Sequence, residues 1–124
     1  MTHLDKPILF LATTNPKQSR AFYESVLGLT FVADEPPALV FQVGHSMLRI
    51  QKVERVHRAL YTALGWSVSD IRQTAQQLCA AGVVFERYEG MNQDSEGIWH
   101  APSGAFVVWF KDPDGNTLSL TQFE

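Results

Sequence analysis

Arg49 and Gln51 stand two residues apart in a run, residues 47–53, whose apolar and polar side chains alternate. Alternation puts both on the strand face opposite Leu48 and Ile50. A guanidinium beside an amide on one sheet face can hold a carboxylate or phosphate, because arginine offers a planar fork of donors and keeps its charge. The ordinary alternative is a structural arginine paired to a carboxylate or reaching to water, as charges on half-buried strands commonly are. Near the other end of the chain, a turn at residues 112–115 sets Phe110 opposite Leu118 and Trp109 opposite Ser119. Trp109 is then either core or a flat wall for an aromatic or apolar ligand. Phe10, in the first apolar run, is placed as a second wall. His100, beside Trp99, is the histidine best positioned to meet a ligand. With Tyr61 and Tyr88 it could supply acid–base groups, though spacing alone does not assemble them.

Metal chemistry finds little support in the pattern. His3, His45, His57 and His100 form no spaced pair with one another or with a cysteine or carboxylate. Asp112, Asp114 and Asn116 mimic the start of a calcium loop, but its sixth and twelfth positions need Gly and Glu and hold Thr117 and Phe123. Cys79 falls on a helix near Leu78 and Ala75 and reads as a small buried hydrophobe rather than a nucleophile. Glu86, Glu89, Asp94 and Glu96 gather before and within a loop at 89–97. They read as a solvated surface, with an acidic rim as the alternative. The loop is long and glycine-punctuated, which makes it a candidate lid.

The elements that must position these side chains follow from local signals. Residues 8–12 are a short apolar strand. Asn15 then Pro16 is a helix start, with Gln18 three residues after the cap, and Gly28 is its stop. Phe22 and Val26 share a face of that helix. Strands follow at 29–32, 38–43 and 47–53. After a charged connector at 54–58 the order begins again: a strand at 61–68, a helix capped by Ser69 or Asp70 and closed by Gly82, a strand at 83–87, the loop, and a strand at 106–110. Asp112-Pro113-Asp114-Gly115 suits a type I turn position by position, and residues 118–121 return as the last strand. Leu48-Arg49-Ile50-Gln51 answers Leu118-Ser119-Leu120-Thr121, so the chain reads as an internal repeat. The boundaries are about 7–53 for module one, 54–60 for the connector and 61–123 for module two, all within one domain, 1–124.

Bulk composition narrows the function classes. With 124 residues, 45% of them hydrophobic, the chain is large enough to bury a core without disulfides, and its single cysteine fits a reducing, cytoplasmic setting. A net charge of −3 with no basic stripe argues against nucleic acid. No stretch approaches membrane-spanning length.

A helix bearing Ala21-Phe22-Tyr23 and ending Val26-Leu27-Gly28-Leu29, together with Asp112-Pro113-Asp114-Gly115-Asn116, resembles the vicinal oxygen chelate superfamily of glyoxalase I, bleomycin-resistance proteins and extradiol dioxygenases. The resemblance spans essentially the whole chain. It implies an α+β fold of two tandem β-α-β-β-β modules forming an open, cup-shaped barrel with helices outside, in a homodimer. It also implies four metal-ligand positions, a His on the first strand of each module and a Glu or similar residue on each last strand. Here these fall on Ile8, Ala63, Arg49 and Ser119, so no metal and no cofactor is expected. The expected function is binding of a small organic molecule, carboxylated or partly aromatic, at Arg49, Gln51, Trp109, Ser119, Phe10 and His100. The alternative is a metal-dependent lyase, isomerase or dioxygenase whose ligands come from His45, His57, His100, Asp94 or Glu96. A module with a filled cup that only contacts other proteins ranks last.

Overall fold

The computed structural model describes residues 2–124, and the chain divides into two compact units, Met1–His57 and Arg58–Glu124. In the first, β1 (Ile8–Thr13) leads to α1 (Pro16–Ala21). The Asn15 side chain accepts from the Gln18 N–H at 3.2 Å and Pro16 opens the helix, the start that the sequence signals. The helix then widens into one π-turn, Phe22–Val26, where the Leu27 N–H donates to the Phe22 carbonyl at 3.0 Å. That extra residue per turn corrects the expected Phe22–Val26 stripe. Tyr23 is the fully buried side chain, and both of the others stay half-exposed. Gly28, at φ 73°, closes the turn in the left-handed region that glycine enters without strain.

β2 (Thr30–Asp34), β3 (Ala38–Val43) and β4 (Ser46–Lys52) complete a four-stranded sheet in the order β1-β4-β3-β2, with β1 parallel to β4 and the other pairs antiparallel. One face carries Leu11, Leu39, Phe41, Leu48 and Ile50, all buried, with the Tyr23 ring 6.0 Å from Phe41. The opposite face carries Arg49 with Phe10 and Val40 as its cross-strand partners.

The second unit repeats this plan with β5 (Leu64–Ser67), α2 (Ile71–Ala80), β6 (Trp99–His100), β7 (Phe106–Lys111) and β8 (Thr117–Gln122), in the sheet order β5-β8-β7-β6. The fold is α+β, two repeated β-α-β modules each built on its own sheet. Leu64 pairs with Leu118 as Leu9 pairs with Leu48, so corresponding strands share a register. Asp70 caps α2 by accepting from the Gln73 N–H at 3.0 Å. Ile71 and Ala75 are buried, and α2 packs on β7 and β8. Cys79, expected in the core, is exposed. It lies one position beyond Leu78, and 100° of helical rotation carries it off the buried stripe.

The strand expected at 83–87 is a correction of a different kind. Only Phe85 bridges β7, at Phe110, with the Glu86 N–H donating to the Trp109 carbonyl at 2.8 Å. β6 occupies the rest of the same edge, pairing Trp99 with Val107 and His100 with Phe106. The edge strand is thus split in two by the loop between. At the closing hairpin the Gly115 N–H donates to the Asp112 carbonyl at 3.0 Å, the bond of the expected type I turn. No helix among the described residues is long and apolar enough to cross a membrane.

Candidate functional site

In the first module, the sheet face away from the Tyr23 core brings together Phe10, Arg49 and Gln51, as alternation requires. Ile8, Phe10 and Met47 on this face are exposed. Arg49 is not a free cation. Its Nη2 donates to Glu35 Oε1 at 3.1 Å, with the arginine side chain 24% exposed and the glutamate 47%. The structural role weighed for Arg49 is therefore filled, and an incoming carboxylate would have to compete with Glu35 for the guanidinium.

In the second module, Trp109 pairs with Ser119 and Phe110 with Leu118, the register that the turn dictates. Gly65 pairs with Ser119 from the other side, and a Cβ there would come within 2.6 Å of Ser119 Oγ. The missing side chain makes room for the hydroxyl. Trp109 is half-buried and meets two further rings: Tyr88 edge-on at 5.5 Å and Trp99 tilted at 5.9 Å. Trp99 was passed over in the sequence, although its place beside His100 on a paired strand puts it on the Trp109 face. His100 itself takes the other face, stacked on Phe106 at 4.3 Å, away from Trp109.

The 88–98 loop is tied down at both ends, which argues against a mobile lid. Gln93 Nε2 donates to the Glu86 and Gly97 carbonyls at 2.9 and 2.7 Å, and its Oε1 accepts from the Tyr88 N–H at 2.8 Å. Asp94 Oδ1 accepts from the N–H groups of Glu96 and Ile98 at 2.9 and 3.0 Å, while Arg72 on α2 pairs with both Asp94 and Glu96. Part of the expected acidic rim is thereby neutralised. Partial burial pushes the Asp94 carboxyl up, but the Arg72 hydrogen bond and the two N–H donors outweigh it and hold the group below the usual carboxylate range. The loop's attachment should therefore persist as pH falls past the ordinary aspartate value of about 3.9 and fail only as pH falls through the lower folded value. Amide exchange at Glu96 and Ile98 followed from pH 6 downward should show protection lost below that point. In Asp94→Asn the protection should be weak and flat with pH. Loss of protection already near pH 5 in the unaltered chain would contradict this.

Tyr88 is shifted too, its phenol pushed up first by burial and then by the negative charge of Glu86. A groove of about 570 Å³ lies on the α2 side of this module, lined in part by Ala75, Cys79, Phe85 and Arg87. It does not include Trp109 or Ser119.

Two sheets of this order, each with a helix on one face and a row of polar and aromatic side chains on the other, define a fold of two repeated modules. The sequence matches the Glyoxalase/Bleomycin resistance protein/Dioxygenase superfamily over residues 3–120, and the chain belongs to that family. No curated protein of matching sequence was found. Among solved structures, a bleomycin-binding protein complexed with bleomycin is similar at 20% identity and a TM-score of 0.74, over 98% of this chain and 100% of that one. Lactoylglutathione lyase from Agrobacterium tumefaciens is similar at 19% identity and a TM-score of 0.71, over 96% and 95%. A glyoxalase/bleomycin resistance protein/dioxygenase from Nocardioides is similar at 18% identity and a TM-score of 0.74, over 98% and 85%. At these identities the likeness is one of fold.

The residues at the metal-ligand positions that the family resemblance implies do not fit a divalent cation. Ile8 and Ala63 have no donor atom, Arg49 brings its own positive charge, and Ser119 offers one neutral oxygen. Among the described residues no group of three or more His, Cys, Asp and Glu side chains is arranged to hold a metal ion. Of the donors that a substitute site would need, Asp94 and Glu96 are engaged by Arg72 and His100 lies on Phe106.

Proposed function

We propose that the chain binds a small organic molecule bearing a flat aromatic or apolar part, on the sheet face that carries Trp109 and Ser119, without the metal used by the family's enzymes. One observation carries this reading: three half-open rings, Trp99, Trp109 and Tyr88, meet beside a serine on the face opposite the module's core. Aromatic side chains that keep part of their surface open are suited to stacking a ligand. The similarity to a bleomycin-binding protein is in keeping with small-molecule binding. Phe10, Arg49 and Gln51, on the first module's own sheet, are a separate candidate contact surface, where a carboxylate would have to displace Glu35 from Arg49. His100 is not part of it. The bound form would be a homodimer, as the family resemblance implies.

Tryptophan emission during titration with small aromatic compounds tests the reading. Binding should perturb the emission, and Trp109→Leu should weaken affinity about tenfold or more, in keeping with the weight of one aromatic contact plus its buried area. Arg49→Ala should matter only for carboxylated compounds. Equal affinities for Trp109→Leu and the unaltered chain would remove this face from the site.

A further inference from the structure

The Trp109 face also carries charged groups. Phe85 bridges Phe110, and their rings meet edge-on at 5.9 Å, so Phe85 is turned to the core side of the sheet. Arg87 lines the α2-side groove together with Val84 and Phe85. The Tyr88 ring meets Trp109 on the opposite side, and Glu86, two residues before it and next to the Phe85 bridge, shares its parity. Glu86 hangs from the strand position whose N–H bonds the Trp109 carbonyl. Among the described residues its carboxylate has no ion-pair partner, whereas Asp94 and Glu96 share Arg72, Glu35 has Arg49, and Asp34 has Lys52. Lys111 shares the Trp109 face and keeps its charge, its ammonium donating to the neutral Thr117 Oγ1 at 2.8 Å, so Glu86 must outweigh it by lying nearer the rings. The Tyr88 phenol is pushed up first by burial and then by the Glu86 charge, in keeping with a carboxylate near that ring.

We propose that this face is a subsite for an organic cation, an alkylated ammonium or guanidinium group that lies over Trp109 and Tyr88 and is matched by the Glu86 carboxylate. The faces of indole and phenol rings are negative and attract such a group, most of all when it is weakly hydrated. An unpaired carboxylate beside the rings supplies the countercharge that an apolar wall alone would lack. This reverses the sign expected from Arg49, whose own charge is already met by Glu35. The inference rests on the reading of this face as a ligand wall and adds the chemical class of what it takes.

Three probes that share one ring and differ in charge separate the two claims: benzyltrimethylammonium, benzyl alcohol and benzoate. Titrations are followed by the indole N–H resonances of Trp99 and Trp109. The ammonium should bind about tenfold more tightly than the alcohol, and benzoate more weakly than either. Glu86→Gln, which keeps shape and loses charge, should bring the ammonium close to the alcohol. Equal affinity for ammonium and alcohol, or a preference for benzoate, overturns the cation subsite while leaving the aromatic wall intact. A preference for the ammonium that survives in Glu86→Gln overturns the role of Glu86. If no probe moves either indole, the wall itself is wrong and both readings fall.

Discussion

Asp112→Ala should lower the free energy of unfolding by about 3 kcal/mol, on the basis of about 1–3 kcal/mol for each buried donor left without an acceptor. Asp112 is buried, and its Oδ1 accepts from the N–H groups of Asp114 and Asn116 at 3.0 and 2.8 Å. Its Oδ2 accepts from the Asn116 amide at 2.7 Å. Alanine strands all three donors in a turn too tightly built for water to replace every contact. Asp112→Asn keeps one oxygen for the backbone pair but sets its amide against the Asn116 amide, so roughly half the loss is expected. Urea unfolding measures both, with the midpoint moving and the slope unchanged. A cost for Asp112→Ala below about 1 kcal/mol would mean the carboxylate only decorates a turn held by other bonds.

The second large effect is expected at the last position of the same turn. Gly115 has φ 87°, and a Cβ there would lie 2.8 and 3.0 Å from Cδ and Cζ of Arg58, and closer still to its Nε. Arg58 is seated in that space because its Nε donates to the Asp114 carbonyl at 3.0 Å. Gly115→Ala therefore carries two costs: about 1–2 kcal/mol for placing a side chain in the left-handed region, and a similar amount for expelling the arginine. Together they come to about 3 kcal/mol. In an Arg58→Ala background only the backbone part remains, so Gly115→Ala should then cost about half as much. A double-mutant cycle by urea unfolding reads the difference directly. Additive effects would show that the arginine leaves without loss.

Much of this architecture could be read in the chain because its signals are local. Asn15-Pro16 and Asp70 start helices, Gly28 and Gly82 stop them, and a four-residue turn fixes which residue of β7 faces which residue of β8. Alternation then assigns Arg49 to one face and Ser119 to another without reference to anything distant. What escaped reading depends on bonds that composition and spacing do not announce. Phe22–Val26 has ordinary helical spacing, and nothing in its composition announces a π-turn. Residues 83–87 match β2 in β-branched and aromatic side chains, three of five in each. Gln93 and Asp94 fold the following loop back on itself, and β6 takes half of the edge. Glu86 looked like one acid among four. Its distinction appears only when Arg72, two dozen residues upstream, is seen to claim the other two nearest the loop's end. The same holds for Arg49, whose partner Glu35 sits beyond a loop and a strand.

The split edge of the second sheet has a consequence for how the molecule behaves among its own copies. A long, flat outer strand invites the strand of another chain to add to it, the first step of aggregation. β6 offers only two paired residues, and the segment at 83–87 offers a single bridge, so that border lacks the unbroken row of amides and carbonyls that a foreign strand could copy. The corresponding border of the first sheet, β2, is kinked by a register shift between Phe31 and Ala33. Each module thus blunts its outer strand in its own way. A deletion that shortened the 88–98 loop and let residues 83–87 run straight into β6 would restore the continuous edge, and with it a route to fibrils.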